Sequence, residues 1–266
     1  MWHRFNTLHK NHHTDRLDLV VMEGCGKVDI RDIVILANSR RHNGQCIAGK
    51  DLNTREWIRP INILGRGQSR IDQSAFLSTD FQKLVGDPSG PKVLDCVRIS
   101  FGEKCGDYYQ PENQFIDGNP WMRLPPFPRT DIPGLIDGPS TRFVGKDDHY
   151  SDNIPVREIK AKPLEHSLNF IRITRAFHKT EIIHTTSFRG NPQHRLCFEY
   201  ESKPYNFVIT DYAYEHLVAE QSHDDIQILE DCYVTIGVGE VFMPGTRSEE
   251  LHYRLIVGII PVSIKR

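Results

Sequence analysis

Apolar positions along the chain come in short runs separated by polar turns. Residues 32–37 (DIVILA) form a continuous run rich in β-branched side chains, as a strand buried on both faces requires. Residues 38–44 (NSRRHNG) are polar and end in Asn43-Gly44, a tight-turn signal, and 45–49 (QCIAG) return to strand character. A turn at 51–54 leads to a third strand, 56–61 (EWIRPI), and 93–101 (VLDCVRISF) alternates as a half-buried fourth. So many short strands in about 70 residues predict a small barrel.

A Pro/Gly-rich span follows over 111–155, with Pro125, Pro126 and Pro128 close together. It reads as a long loop over the first barrel or as a linker. Strands resume at 168–173 (LNFIRI), 179–184, 195–200 and 205–210. Residues 211–221 (DYAYEHLVAEQ) carry the spacing of a helix with Asp211 as its N-cap, and strands at 232–237 and 253–260 close the pattern. Strands gathered around one short helix match an OB-like barrel. The expected fold is therefore all-β, or β-rich α+β: two small OB-like barrels in tandem with a Pro/Gly-rich connection. The expected boundaries are an N-terminal extension at 1–29, a first barrel at 30–130, a linker at 131–155 and a second barrel at 156–266.

Composition changes this picture little. At 38% hydrophobic and 26% charged, the 266-residue chain suits folded domains rather than disorder. The longest apolar run, 255–264, is short for a bilayer span and is interrupted by Pro261. The first residues are basic but lack the apolar core of a secretory signal, so the expected location is the cytoplasm. The six cysteines lack C-x-x-C spacing and mostly sit in apolar stretches, so they read as free structural thiols. Charge is uneven. Residues 27–71 hold nine Lys or Arg against four acids, whereas 204–250 hold ten acids against Arg247 alone. The first stretch could attract a phosphate backbone and the second could dock a protein partner, or both are solvated faces.

The run 33–49 (IVILANSRRHNGQCIAG) followed by Trp57-Ile58-Arg59-Pro60 resembles the opening of the bacterial dual OB-containing domain proteins. Residues 109–113 (YQPEN) with Trp121, 208–211 (VITD) and 253–261 (YRLIVGIIP) fit the same family, so the likeness spans roughly 30–262. It implies two OB-like barrels and a nucleic-acid or nucleotide ligand, with a loose association to bacterial defence systems. It brings no catalytic residues.

Two groups of residues stand out as candidate ligand contacts. Asn38, Arg40 and Arg41 at a strand-to-turn junction, with Lys50, Trp57 and Arg59 on neighbouring strands, could form a basic groove with a stacking indole. Alternatively Trp57 fills the barrel, Arg59 bonds carbonyls at its end and Asn38 makes an Asx turn. Gln110, Glu112 and Asn113, beside Tyr108 and Tyr109 and near Trp121, could read a splayed base or pin a long loop to the barrel. Gly24-Cys25-Gly26-Lys27 lacks phosphate-loop spacing, and the 13 histidines form no H-x-x-x-H with a partner carboxylate. Neither a cofactor nor a metal is expected. The leading reading is a nucleic-acid-binding module; the alternatives are a nucleotide-processing enzyme with a pocket between the barrels, using Arg40, Arg59, Glu112 or Asp211, and a protein-binding adaptor.

Overall fold

The computed structural model describes residues 29–41, 44–61, 90–138, 152–174, 176–182, 192–219, 228–229, 231–243 and 249–262. The expected extension over 1–29 lies outside these residues except for Asp29, which opens the first strand.

β1 (Asp29–Arg41) explains its own apolar run, because both of its faces are covered. Ile33 and Ile35 point into one core with Ile47, Ile58, Val97, Ile99, Phe101, Ile116 and Trp121. Val34, Leu36 and Ala37 point outward into a second cluster, yet are as deeply buried. β2 (Gly44–Asp51) pairs with β1 antiparallel, and the register slips between Ile35 and Ala37, leaving Leu36 as a bulge. β3 (Trp57–Ile61), β4 (Cys96–Lys104) and β5 (Asn113–Ile116) complete the order β1-β2-β3-β5-β4, in which only β3 and β5 run parallel. β4 pairs back onto β1, so the five strands close into a barrel, and β6 (Met122–Arg123) adds to the outside of β4.

The second half repeats this plan. β8 (Leu168–Ile173) and β9 (Ala176–Ile182) are separated by two residues in sequence, and β10 (Pro192–Tyr200), β11 (Lys203–Ile209), β13 (Cys232–Phe242) and β14 (Leu251–Pro261) follow. The ladder runs β9-β10-β11-β14-β13-β8, again with one parallel pair, β11 with β14. β8 and β9 together therefore take the place that β1 holds in the first barrel, where one strand pairs with both β2 and β4. Helix α2 (Tyr212–Ala219) lies between β11 and β13 in the chain. Asp211 caps it as expected, its Oδ1 accepting from the Tyr214 amide at 2.8 Å. The core holds Ile171, Leu196, Phe198, Phe207, Val234 and Ile256, among others.

Several short elements carry too little pattern to be read from sequence: β5, β6, β7 (Asn153–Pro155), α1 (Val156–Ala161) and β12 (Ile228–Leu229). The Pro/Gly-rich span forms a 3-10 turn, Arg129–Leu135, whose Ile132 and Leu135 are buried among residues of both barrels. Among the described residues no helix is long and apolar enough to cross a membrane.

Candidate functional site

The outer face of β1, β2 and β3 is covered by the second barrel. Val34, Leu36, Ala48 and Trp57 pack with Leu168, Phe170, Tyr233, Val257 and Ile260, and the 3-10 turn completes the seam. An OB barrel commonly uses the outer face of its second and third strands for ligands. Here that face mates two barrels, and Lys50, Trp57 and Arg59 of the expected basic groove lie inside the contact.

Three polar clusters, two of them charged, hold it. Lys50, 3% exposed, donates to the Leu135 carbonyl at 2.8 Å and to the Asp137 carboxylate, and its ammonium lies 5.1 Å from the Trp57 ring centre. The Trp57 indole N–H donates to Asp137 at 3.0 Å, and the Phe170 amide donates to the same carboxylate oxygen at 2.7 Å. One carboxylate thus ties β2, β3 and β8 together. Arg59, 6% exposed, donates to Glu112 at 3.2 Å, to the Cys46 sulfur at 3.2 Å and to the Ser167 hydroxyl at 2.7 Å. Glu112 also accepts from the Ser167 amide at 2.9 Å. Burial works against the charge of Arg59, but Cys46 and Glu112 more than offset it and raise its pKa. In the third cluster, Gln110 donates to the Val238 carbonyl at 3.3 Å and accepts from Asn113, pinning the loop between β4 and β5 onto the second barrel.

This corrects the groove reading. Trp57 offers no open stacking face, and Lys50, Arg59, Gln110, Glu112 and Asn113 are committed to partners within the fold. Of the alternatives weighed, loop-pinning describes Gln110, whereas Trp57 fills the seam rather than a barrel. Trp121 is 1% exposed in the core of the first barrel, and Asn38 donates to the Pro91 carbonyl at 2.9 Å. The backbone of Arg41 ends β1; its side chain lies outside the described features. Among the described side chains of the group, Arg40 alone is solvent-exposed, with half its side chain accessible and its Nε 3.3 Å from Glu215. Its amide donates to the Thr210 carbonyl at 2.9 Å, a further tie between barrels. Asp211 is buried, and its second oxygen accepts from the Ile259 amide at 2.8 Å; burial pushes its pKa up to about 6, against these backbone donors.

The seam is not filled throughout. A cleft of about 180 Å3 opens at its edge. Its apolar walls are Ala37 and Ala48 from the first barrel and Leu168, Leu255 and Val257 from the second. Ser39, Arg40, Thr210 and Glu240 supply polar groups, and Arg59 and Cys46 also contribute to the lining. Gly237 and Gly239 keep the cleft open: a Cβ at Gly237 would lie 3.2 Å from Val257, and one at Gly239 3.2 Å from Leu255. The Gly-Val-Gly spacing at 237–239 was the sequence signal for this wall, since alternate glycines in a strand mark a close approach. Asp137, Ser167 and Glu240 carried no such signal. Among the described residues no three His, Cys, Asp or Glu side chains are grouped to hold a metal ion. The cleft is small and combines apolar walls with a few polar groups.

Comparisons with known proteins give one strong match. The family model described as the dual OB-containing domain matches residues 31–259. No curated protein matches the chain. Among solved structures, the crystal structure of the tetrameric p202 HIN2 aligns over 87% of this chain and 91% of that one, at 8% identity and a TM-score of 0.26, a likeness too loose to compare sites.

Proposed function

The chain belongs to the dual OB-containing domain family, and from that premise we propose that it is a binding module that seats a single nucleobase in the cleft between its barrels. The base comes from a free nucleotide or from an exposed nucleotide of a strand. The observation that carries this reading is the size and lining of the cleft. A cavity of about 150 Å3 is enough to hold benzene, so about 180 Å3 takes one planar ring system and leaves sugar and phosphate outside. Aliphatic walls suit the faces of such a ring, and the exposed Arg40 stands at the mouth where a phosphate would lie. A groove tracking many phosphates has less support, because Lys50 and Arg59 are consumed in the seam. The described cysteines, Cys46, Cys96, Cys105, Cys197 and Cys232, are free thiols, which fits a reducing compartment such as the cytoplasm.

Calorimetric titration of the full chain with mononucleotides, and with short single-stranded oligonucleotides, tests the proposal. Binding of either, weakened at least about tenfold by Ser39→Leu, which puts bulk into the cleft, is the expected result. Absence of binding to every nucleotide and oligonucleotide at millimolar concentration, in protein that melts cooperatively, refutes it.

A further inference from the structure

We infer that His252 is a pH-operated latch for the loop that the first barrel lays across the second, a regulatory device that stands apart from the base-binding reading. The loop, residues 105–112, joins β4 to β5 and is closed on itself. A Cβ at Gly106 would lie 2.3 Å from the Pro111 carbonyl oxygen, and the Asp107 amide donates to the Gln110 carbonyl at 3.2 Å. The loop meets the second barrel at three places. Tyr108 and Tyr109 pack against that barrel's core, Gln110 donates to the Val238 carbonyl as part of the cleft wall, and Glu112 accepts from Ser167. Beyond α1, the Leu164 amide donates to the Tyr108 carbonyl at 3.1 Å.

His252 lies under the two tyrosines, 0% exposed, with Val241 of β13 and Ile154 of β7 as its strand partners. Its ring centre is 4.7 Å from that of Tyr109 and 6.0 Å from that of Tyr108. The Gly239 carbonyl, 2.8 Å from Nδ1, can only accept, so Nδ1 carries the one proton of the neutral ring. Nε2 then accepts from the Tyr108 hydroxyl at 3.4 Å. A second proton must go to Nε2, where it faces that hydroxyl and makes a cation out of reach of water. Asp107 of the loop and Glu250, just before β14, favour that cation, and Lys160 of α1 opposes it; burial outweighs the rest and lowers the pKa. Arg254, two residues along β14, is turned onto Phe207, its guanidinium 5.2 Å from the ring centre. A base held below its ordinary value of 6.5 supports the closed state above that value and loosens it as pH falls through the lowered one. Lifting the loop is the smallest movement that lets water reach the imidazolium, and it leaves both barrels folded.

The experiment is hydrogen–deuterium exchange of the full chain, read at the amides of 105–113 and Leu164 and corrected for the intrinsic pH dependence of exchange. Between about pH 7.5 and about pH 4.5 these amides should lose protection at least about tenfold, while those of 33–37 in β1 keep theirs. His252→Asn, whose amide can still donate to Gly239 but takes up no proton, should show no such loss. Asp211 titrates in the same range, at about 6, but its proton stabilises the fold, so it cannot produce a loss on acidification. An unchanged loop in the wild type overturns the latch, and an equal loss in His252→Asn overturns the role of His252. Should the variant not fold, the His252 ring signals of the wild type decide by NMR. A titration midpoint that lies below 6.5 and coincides with loop release is expected; one at 6.5, or apart from loop release, overturns the inference.

Discussion

The hydroxyl of Thr235 donates to the carbonyl of Leu36 at 2.5 Å, joining a strand of the second barrel to the bulge in the first. Gly258, paired with Thr235 across β13 and β14, sits beneath the same carbonyl so closely that a Cβ there would lie 2.1 Å from it. The bulge turns one carbonyl out of the first ladder, and the second barrel supplies a donor and a gap to receive it. Gly258→Ala should therefore force the barrels apart, at a cost of about 1–3 kcal/mol or more. Thr235→Val keeps the shape but removes the donor, and should cost about 1–3 kcal/mol through an unpaired buried carbonyl. Urea unfolding midpoints check both. Values unchanged from wild type would mean that the barrels do not dock through this contact.

Asp137 offers a second test of the seam. It accepts from Lys50, Trp57 and the Phe170 amide, and Lys50 is nearly inaccessible to water. Asp137→Ala leaves a buried ammonium without its partner, and losses of about 3–5 kcal/mol follow in such cases. Asp137→Asn retains an accepting oxygen and should lose less. Chemical denaturation of the two variants should rank them in that order. Equal losses would show that the charge on Asp137 is not what the seam uses.

How much of this was legible in the sequence follows from where the partners lie. The strands at 32–37, 168–173 and 253–260 were readable because their apolar runs are set by burial alone. Lys50, Trp57 and Arg59 could be singled out as unusual residues, but their roles depend on Asp137, Glu112 and Ser167. Trp57 meets Asp137 across 80 residues of sequence, and Arg59 meets Ser167 across 108. A cation beside an indole looks the same whether a ligand or a second barrel covers it. The bulge that exposes the Leu36 carbonyl is a backbone event that no local pattern announced.

Asp211 predicts an unusual pH response. Burial raises its pKa to about 6 from 3.8, so between those values the folded protein holds more protons than the unfolded chain. Stability should then fall as pH rises from about 4 to 6, by on the order of 3 kcal/mol from this group. Asp29, Asp32 and Asp231, each held low by an arginine hydrogen bond, act oppositely and at lower pH. Asp211→Asn removes the titration, so its melting temperature should lose the gain that the wild type shows between pH 7 and pH 5. An identical pH profile in the two proteins would refute this assignment.

The salt dependence of oligonucleotide binding separates a cleft from a groove. Each phosphate contact to a single strand contributes a slope of about −0.7 in a plot of log K against log salt. An open groove using Arg40, Arg41, Lys50 and Arg59 would give about −3. In the structure Lys50 is bonded to Asp137 and Arg59 to Glu112, both deeply buried. That leaves Arg40 at the cleft mouth and, at most, its neighbour Arg41, so the expected slope is no steeper than about −1.4. Arg40→Ala should flatten it by about 0.7 and weaken binding of every sequence alike, since a phosphate contact carries no base information. Fluorescence anisotropy between 50 mM and 200 mM salt measures both quantities. A slope near −3 would require Lys50 and Arg59 to reach the ligand, and for that the barrels would have to part along the seam they now hold closed.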